Sequence, residues 1–588
     1  MTQLLPAAFS PGLVLIVAGI LAALAPRMGR NLLGVAGVAI GFIHLLSYGN
    51  APVGEALHFA QSSAMGFEFT GIRIDRLSVI FAIIFHIAAM LNVIYGWQHA
   101  TRIEASMGLI YAGAAIGGAL AGDLLTLFVY WELAALSSVF IVWAGGGHAA
   151  FKAGMRYLVI QVSSGLLLLA GIAVHIGQGN GIAFEAFSLT QADGSANAAA
   201  WLILVSFGIK AAFPFLHTWL QDSYPKASAV GAVMLSAFTT KLAVYTLARG
   251  FAGTDILIPI GAAMTAFPVF FALIENDLRR VLAYSLNNQL GFMVCAIGIG
   301  TPLALNGAAA HAFVHIIYKA LLFMSMGAVM VRVGTTKATE LGGLHKSMPW
   351  TTVFCIVGAM SISAFPLFSG FVAKSMITLA AAEAHLLFAY LVLLFASAGV
   401  LEHSGIKIPY FAFFAHDNFA PSVTGRARPK EAPAPMMIAM GIAAFLCVGI
   451  GIQPQYLFAL LPFEAEYHAY TLDHVVTQMQ LLLFAILAFA LLVKFRLYPA
   501  EIRSTNLDVD WFWRVPGRIG LMAAVRGTAA GWRRIWGGLR RLAGGTVRSL
   551  YATHGPEGGL ARTWPVGYTA LTTAVVLAVA LLAVFFAR

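Results

Sequence analysis

The sequence predicts an all-α integral membrane protein of about sixteen transmembrane helices, and three observations carry that prediction. Of its residues, 60% are hydrophobic and only 10% are charged, too few charges to clothe a soluble protein of 588 residues. Apolar stretches of about 20 residues, long enough to cross ~30 Å of hydrocarbon as helix, recur almost to the end. The basic residues alternate between successive loops, as the positive-inside rule requires.

The stretches fall at 11–26, 31–48, 77–98, 104–122, 124–143, 155–178, 200–220, 227–249, 255–274, 279–300, 304–331, 351–380, 386–414, 436–455, 476–493 and 566–586. Only Gly122–Asp123 separates the fourth from the fifth. The first stretch is followed by Arg27 and Arg30 and has neither a charged leading region nor a small-residue cleavage site, so it is expected to be a retained helix. With the N-terminus outside, the inner loops hold 26 of the 35 Lys and Arg residues. These are Arg27 and Arg30; Arg102; Lys152 and Arg156; Lys226; Arg279 and Arg280; Arg332, Lys337 and Lys346; Arg426, Arg428 and Lys430; and a cluster between Lys494 and Arg562, Arg503 included. The outer segments hold only Arg73, Arg76, Arg249 and Arg588. An error of one helix would scramble this alternation, so both termini are expected outside a cell inner membrane. The net charge of +11 then belongs to one membrane face and calls for no nucleic-acid partner. Cys295, Cys355 and Cys447 are isolated in apolar spans, which points to neither a metal site nor disulfides.

Five basic residues remain, Lys210, Lys241, Lys319, Lys374 and Lys407, and all lie inside spans. A charge at the bilayer centre costs ~2.5–3.5 kcal/mol on insertion scales, so each needs a reason. Lys407 lies near the end of its span, where snorkelling suffices. Lys210 lies mid-span, and Lys241 and Lys374 lie deeper than one turn. Glu132 is the one carboxylate near the middle of a span in the first half of the chain. A Glu132–Lys210 pair keeps both groups charged while close, and separation makes the charged lysine costly; a static ion pair is the plainer alternative. His311, His315 and Lys319 recur at i, i+4 and i+8 and line one stripe of a helix over ~12 Å. Histidine suits a proton relay because it titrates near neutrality. Two histidines so spaced can also hold zinc, but the next residue on the stripe is a lysine and the helix carries no carboxylate. His44, His86 and His175 read as hydrogen-bonded core histidines.

Pro214 and Pro366 interrupt the spans 200–220 and 351–380, each close to a buried lysine. Interrupted helices in corresponding positions of two halves point to inverted repeats with sites at mid-membrane. The expected organisation is therefore N-terminal helices over 1–103, five-helix units over 104–250 and 255–415, further helices over 416–495, a basic segment over 496–565 and a final anchor over 566–588.

The segments Gly122-Asp-Leu-Leu-Thr-Leu-Phe-Val-Tyr-Trp-Glu132, Lys210-Ala-Ala-Phe-Pro-Phe-Leu-His-Thr-Trp-Leu-Gln-Asp222, Leu235-Ser-Ala-Phe-Thr-Thr-Lys241, Asp277-Leu-Arg-Arg-Val-Leu-Ala-Tyr-Ser285, His311-Ala-Phe-Val-His-Ile-Ile-Tyr-Lys-Ala-Leu-Leu-Phe323 and Phe365-Pro-Leu-Phe-Ser-Gly-Phe-Val-Ala-Lys374 run in that order. Together they resemble the antiporter-like proton-translocating subunits of Mrp-type cation/proton antiporters and of respiratory complex I. The form around Lys241 is most similar to the D-type subunit of Mrp antiporters. The resemblance implies that Glu132, Lys210, Lys241, His311, His315, Lys319 and Lys374 match the family's proton-carrying row, and that the chain works among other membrane subunits. The basic stretch and last span depart from the D-type pattern and look like the lateral helix and last anchor of the largest antiporter-like subunit of complex I.

From Trp511 to Leu550 the chain has eight arginines and no acidic residue. Trp532, Ile535, Trp536 and Leu539 form an apolar stripe opposite them, as in an interfacial amphipathic helix that seeks anionic lipid or a partner surface; Gly537–Gly538 and Gly544–Gly545 are candidate kinks. No nucleotide loop, flavin motif or iron–sulfur cysteine set is present, so no cofactor and no covalent chemistry are expected. A sodium site wants hard oxygen ligands, whereas the inner row is mostly nitrogen bases; protons suit it, and sodium or potassium would pass through partner subunits. An ion-coupling subunit for inorganic-carbon uptake, a complex I-like redox-driven pump subunit and a non-conducting scaffold are the alternatives.

Overall fold

A computed structural model describes residues 5–49, 52–425, 427–464, 466–499, 501–502 and 506–587. Arg426, Arg503 and Arg588, which the charge count assigns to loops and terminus, lie outside the described residues. Two compact units divide the chain, Met1–Asn506 and Leu507–Arg588.

The larger unit is a multi-pass helical assembly. Among the described residues of the whole chain, thirteen helices are long and apolar enough to cross a membrane, and Pro11–Leu24, Ala198–Ala211 and Pro349–Ile362 are shorter apolar helices. Local chemistry sets many of the boundaries. Asp75 and Thr101 close capping boxes with Ser78 and Glu104, each satisfying orphan amides of a first turn. The side chain of Asp123 accepts from the Thr126 amide at 2.7 Å, which starts the helix Leu124–Trp143 and separates it from Arg102–Leu120. The break expected at Gly122–Asp123 is therefore real.

The all-α expectation is incomplete. Between the second and third spans, Leu57–Ala64 and Phe67–Ile74 form an antiparallel hairpin in which Ala64 faces Phe67. Met65 and Gly66 have φ of 54° and 81°, the pair of positive values that a two-residue turn needs to match strand twist. Ile72 and Ile74 are buried at its base.

Both proline segments break their helices, and the break is wider than the proline. The first helix ends at Ala211 and resumes at Thr218; the second ends at Ile362 and resumes at Ser369. In each the backbone turns left-handed twice, at Ala212 and Phe215 (φ 63° and 68°) and at Ala364 and Leu367 (φ 59° and 71°). The same phrase, alanine, Phe, Pro and a fourth residue, thus takes the same unfavourable path twice. Such conformations cost about 1–3 kcal/mol per residue and persist only where the surroundings impose them. A further irregularity at Phe238 separates Ala229–Ala237 from Thr239–Gly250.

In the smaller unit, Arg518–His554 is one unbroken helix and Val566–Phe586 another. The kinks expected at Gly537–Gly538 and Gly544–Gly545 do not occur. Arg541 and Arg548 donate to the carbonyls of Gly537 and Gly544 one turn back, covering backbone that glycine would leave bare.

Close helix packing in the larger unit depends on small residues, as membrane bundles require. A Cβ on Gly261 would meet the Cys295 amide nitrogen at 2.3 Å, whereas one on Gly449 would meet nothing within 4 Å. Gly261→Val should therefore lower the thermal unfolding midpoint of the purified protein, by an overpacking penalty of about 1–3 kcal/mol or more, while Gly449→Val should leave it nearly unchanged.

Candidate functional site

The site begins at the first broken helix. Lys210 is the penultimate residue of Ala198–Ala211 and is 1% exposed. Its ammonium donates to the Trp131 carbonyl at 2.6 Å and lies 4.1 Å from the centre of the Trp131 ring. A carbonyl dipole and a ring face both favour a cation in a dry setting. Glu132 follows Trp131 on the helix Leu124–Trp143, and its charge acts on Lys210. The expected contact pair is absent, however: no ion pair within 4.0 Å joins them among the described residues. The Glu132 carboxylate instead lies against Gly165 of the helix Gly147–Gly177, where a Cβ would come within 1.7 Å of Oε1. Oε1 has no protein hydrogen-bond partner. The two groups are electrostatically coupled neighbours without a direct bond.

Lys241 is the next buried lysine along the chain. The irregularity at Phe238 releases the Ser236 carbonyl, which accepts from its ammonium at 2.7 Å; Thr240 Oγ1 accepts at 3.2 Å. Fully buried, Lys241 acts electrostatically on His311, His315 and Lys319.

His311, His315 and Lys319 line the helix Pro302–Val333 and are all fully buried. The two imidazoles stack with centroids 6.1 Å apart. His311 Nε2 is 3.4 Å from the Tyr318 hydroxyl, which donates to Gln289 Oε1 at 3.0 Å. Both nitrogens of His315 and the Lys319 ammonium have no protein partner. Beyond them Lys374 donates to the Ile362 carbonyl at 3.1 Å, across the second helix break, and lies 5.1 Å from the Phe292 ring centre. Lys210, Lys241, His311, His315, Lys319 and Lys374 are thus buried, and Glu132 is half-buried with its Oε1 enclosed.

Other polar groups were passed over. Asn287, Asn288 and Gln289 form a polar run in the middle of the helix Leu278–Ile299. Gln289 donates to Asn288 at 2.6 Å, and both side-chain polar atoms of Asn287 lack partners. Three consecutive amides in a span were readable as a signal. Lys407 does not snorkel: it is fully buried, hydrogen-bonded to three carbonyls and paired with Glu501 at 2.8 Å. Arg279, counted among the loop charges, is also buried and donates to the carbonyls of Tyr224, Ala227 and Ser228.

Comparisons with known proteins agree with this architecture. Residues 121–399, which contain the whole row, match the family model described as NADH:quinone oxidoreductase/Mrp antiporter, TM. Hydrogenase-4 component B of Escherichia coli is 27% identical over 448 residues, covering 69% of this chain and 66% of that protein. The D-type Na(+)/H(+) antiporter subunit of Alkalihalophilus pseudofirmus is 34% identical over 285 residues, 46% of this chain and 57% of that protein. The chain therefore spans somewhat under two thirds of these relatives. In fold it resembles a chain of the Mrp complex from Dietzia sp., with a TM-score of 0.69 at 22% identity over 77% of this chain and 95% of that one. Residues 121–399 are thus where the chain is similar to the membrane subunits of NADH:quinone oxidoreductases and Mrp antiporters.

Proposed function

We propose that this chain is the proton-translocating membrane subunit of a multisubunit ion-transporting complex, a monovalent cation/proton antiporter of Mrp type. One observation carries the reading: six basic side chains, Lys210, Lys241, His311, His315, Lys319 and Lys374, are buried in one bundle, with the charge of Glu132 acting on Lys210 and those of Lys241 and Lys374 on the two histidines. Each such charge is costly in a membrane interior, and intramembrane ionisable residues facing one another mark ion and proton pathways. In this reading Glu132 and Lys210 are the switch pair. Their present separation, with Lys210 resting on a carbonyl, is one state; approach of the carboxylate would favour the charged lysine. Lys241, His311, His315, Lys319 and Lys374 are the relay, and internal water would bridge their unpartnered nitrogens.

The same reading takes the sixteen crossings, with both termini outside the inner membrane, as the topology. The repeated left-handed phrases at Ala212–Phe215 and Ala364–Leu367 support two inverted units over 104–250 and 255–415. Partner membrane subunits would complete the complex and supply any path for sodium or potassium. The arginine face of Arg518–His554 would rest on anionic lipid or an acidic partner. A second reading, as part of a redox-driven complex, draws support from the long alignment to hydrogenase-4 component B, which covers more of this chain than the alignment to the Na(+)/H(+) antiporter relative.

Two substitutions separate the switch from a structural pair, read as cation- or pH-gradient-driven proton flux in proteoliposomes holding the chain with its co-purifying subunits. Lys210→Arg keeps the charge but scarcely releases a proton, so it should lose flux about as fully as Lys210→Ala. Near-normal flux in Lys210→Arg would remove Lys210 from the path. Gly165→Ala adds only a methyl, yet it would displace the Glu132 carboxylate. Flux should fall by about tenfold or more, given what a positioned acid–base group contributes, with assembly retained.

A further inference from the structure

His403 and its surroundings are not part of the row described above. The helix that begins at Leu387 changes to a π-turn over Leu401–Ile406 before resuming at Lys407. A π-turn inserts an extra residue into the helix and occurs frequently at functional sites. Here it turns His403 fully inward. Its Nδ1 is 2.8 Å from the Ser404 hydroxyl, which donates to Ser285 Oγ at 2.8 Å, while Nε2 has no protein partner. The charges of Lys319, Lys407 and Lys374 act on it, and Lys407 lies one turn on along its own helix. The turn abuts the second helix break, for a Cβ on Gly405 would lie 2.4 Å from Ser363 Oγ. Ser363 follows Ile362, whose carbonyl holds Lys374.

Lys407, four residues on, closes the end of the helix Leu257–Ile274. It donates to the carbonyls of Ala272, Leu273 and Glu275 at 3.2, 2.7 and 2.7 Å and pairs with Glu501 at 2.8 Å. Glu501 comes from the segment that follows the helix Leu472–Lys494 and folds back over this end of the bundle, where Asn506 donates to Glu275. Glu402 and Tyr498 flank the pair, and Arg280 pairs with Glu275 at 3.3 Å. Helix capping accounts for Lys407. It does not account for an inward histidine with an unpaired nitrogen on a distorted turn that abuts the second helix break.

We propose that His403, Lys407 and Glu501 form a gated proton route from the lysine row to the face that bears Arg279 and Arg280, with Glu501 as its outermost group. His403 exchanges protons with Lys319 or Lys374 on its inner side, through water, and with Lys407 on its outer side. The Lys407–Glu501 pair closes the route while intact and opens it when either partner changes protonation. This rests on the reading of the row as a proton path.

The test compares Lys210→Ala, His403→Gln and Glu501→Gln in proteoliposomes holding the full chain with its co-purifying subunits, with assembly measured separately. Loss of flux in Lys210→Ala establishes the row, and flux surviving that change overturns the row and this route with it. Given a dead Lys210→Ala, His403→Gln should assemble and lose about tenfold or more of the flux. Glu501→Gln should also lose flux, and its remainder should depend differently on the pH of the compartment that the basic loops face. A helix cap alone would move assembly without moving that profile. Wild-type flux in His403→Gln overturns the route while leaving the row intact. Should His403→Gln fail to assemble, Glu501→Gln decides: unchanged flux and an unchanged profile overturn the proposal.

Discussion

An ammonium ion removed from water must be solvated by something, and in this chain interrupted backbone does most of that work. Lys241 rests on the Ser236 carbonyl beside the irregularity at Phe238, Lys374 on the last carbonyl before the second break, and Lys407 on three carbonyls at a helix end. Lys210 takes the Trp131 carbonyl of a neighbouring helix. Irregular backbone at membrane depth is tolerated only inside protein or beside water, so the breaks and the lysines require each other. A carbonyl is also a neutral partner. It lowers the cost of a cation without fixing it as a carboxylate would, which leaves protonation free to respond to neighbours. Lys319 has no such support among the described residues, and that makes it the point of the row most sensitive to what surrounds it.

The two halves use one backbone device in different ways. In the first, the lysine precedes the left-handed alanine, and the Ile209 carbonyl accepts from both the Ala212 amide at 3.2 Å and the Trp219 indole at 3.0 Å. In the second, the lysine follows the break and reaches back across it. The strain of two left-handed residues is borne in both, although the charge sits on opposite sides of the two breaks. Lys241 and Lys374 both act on the histidine stripe.

Much of this was legible in the residues. A lysine in an apolar run costs too much to be incidental, prolines mark helix breaks, and the i, i+4, i+8 spacing puts His311, His315 and Lys319 on one face. Other features carried no comparable signal. The left-handed turns fall on Ala212, Phe215, Ala364 and Leu367, where no glycine announces them. Lys407 was misjudged because depth was measured along its own helix, and the segment carrying Glu501 covers that end from far away in sequence. The hairpin at Leu57–Ala64 and Phe67–Ile74 lies in a loop between two spans, and its strands, mostly exposed or half-buried, lack the long apolar run that marks a span. The distance between Glu132 and Lys210 depends on how the Glu132 and Gly165 helices pack, and composition cannot supply that.

The central claim is that the buried row moves protons and is not merely a set of well-solvated structural charges. Its most direct test is Glu132→Gln, which keeps the shape of the side chain beside Gly165 and removes only its charge. Proton flux in proteoliposomes holding the full chain and its co-purifying subunits, at matched levels of assembly, is the measurement. The account predicts normal assembly with flux reduced by about tenfold or more; wild-type flux in that variant would contradict it.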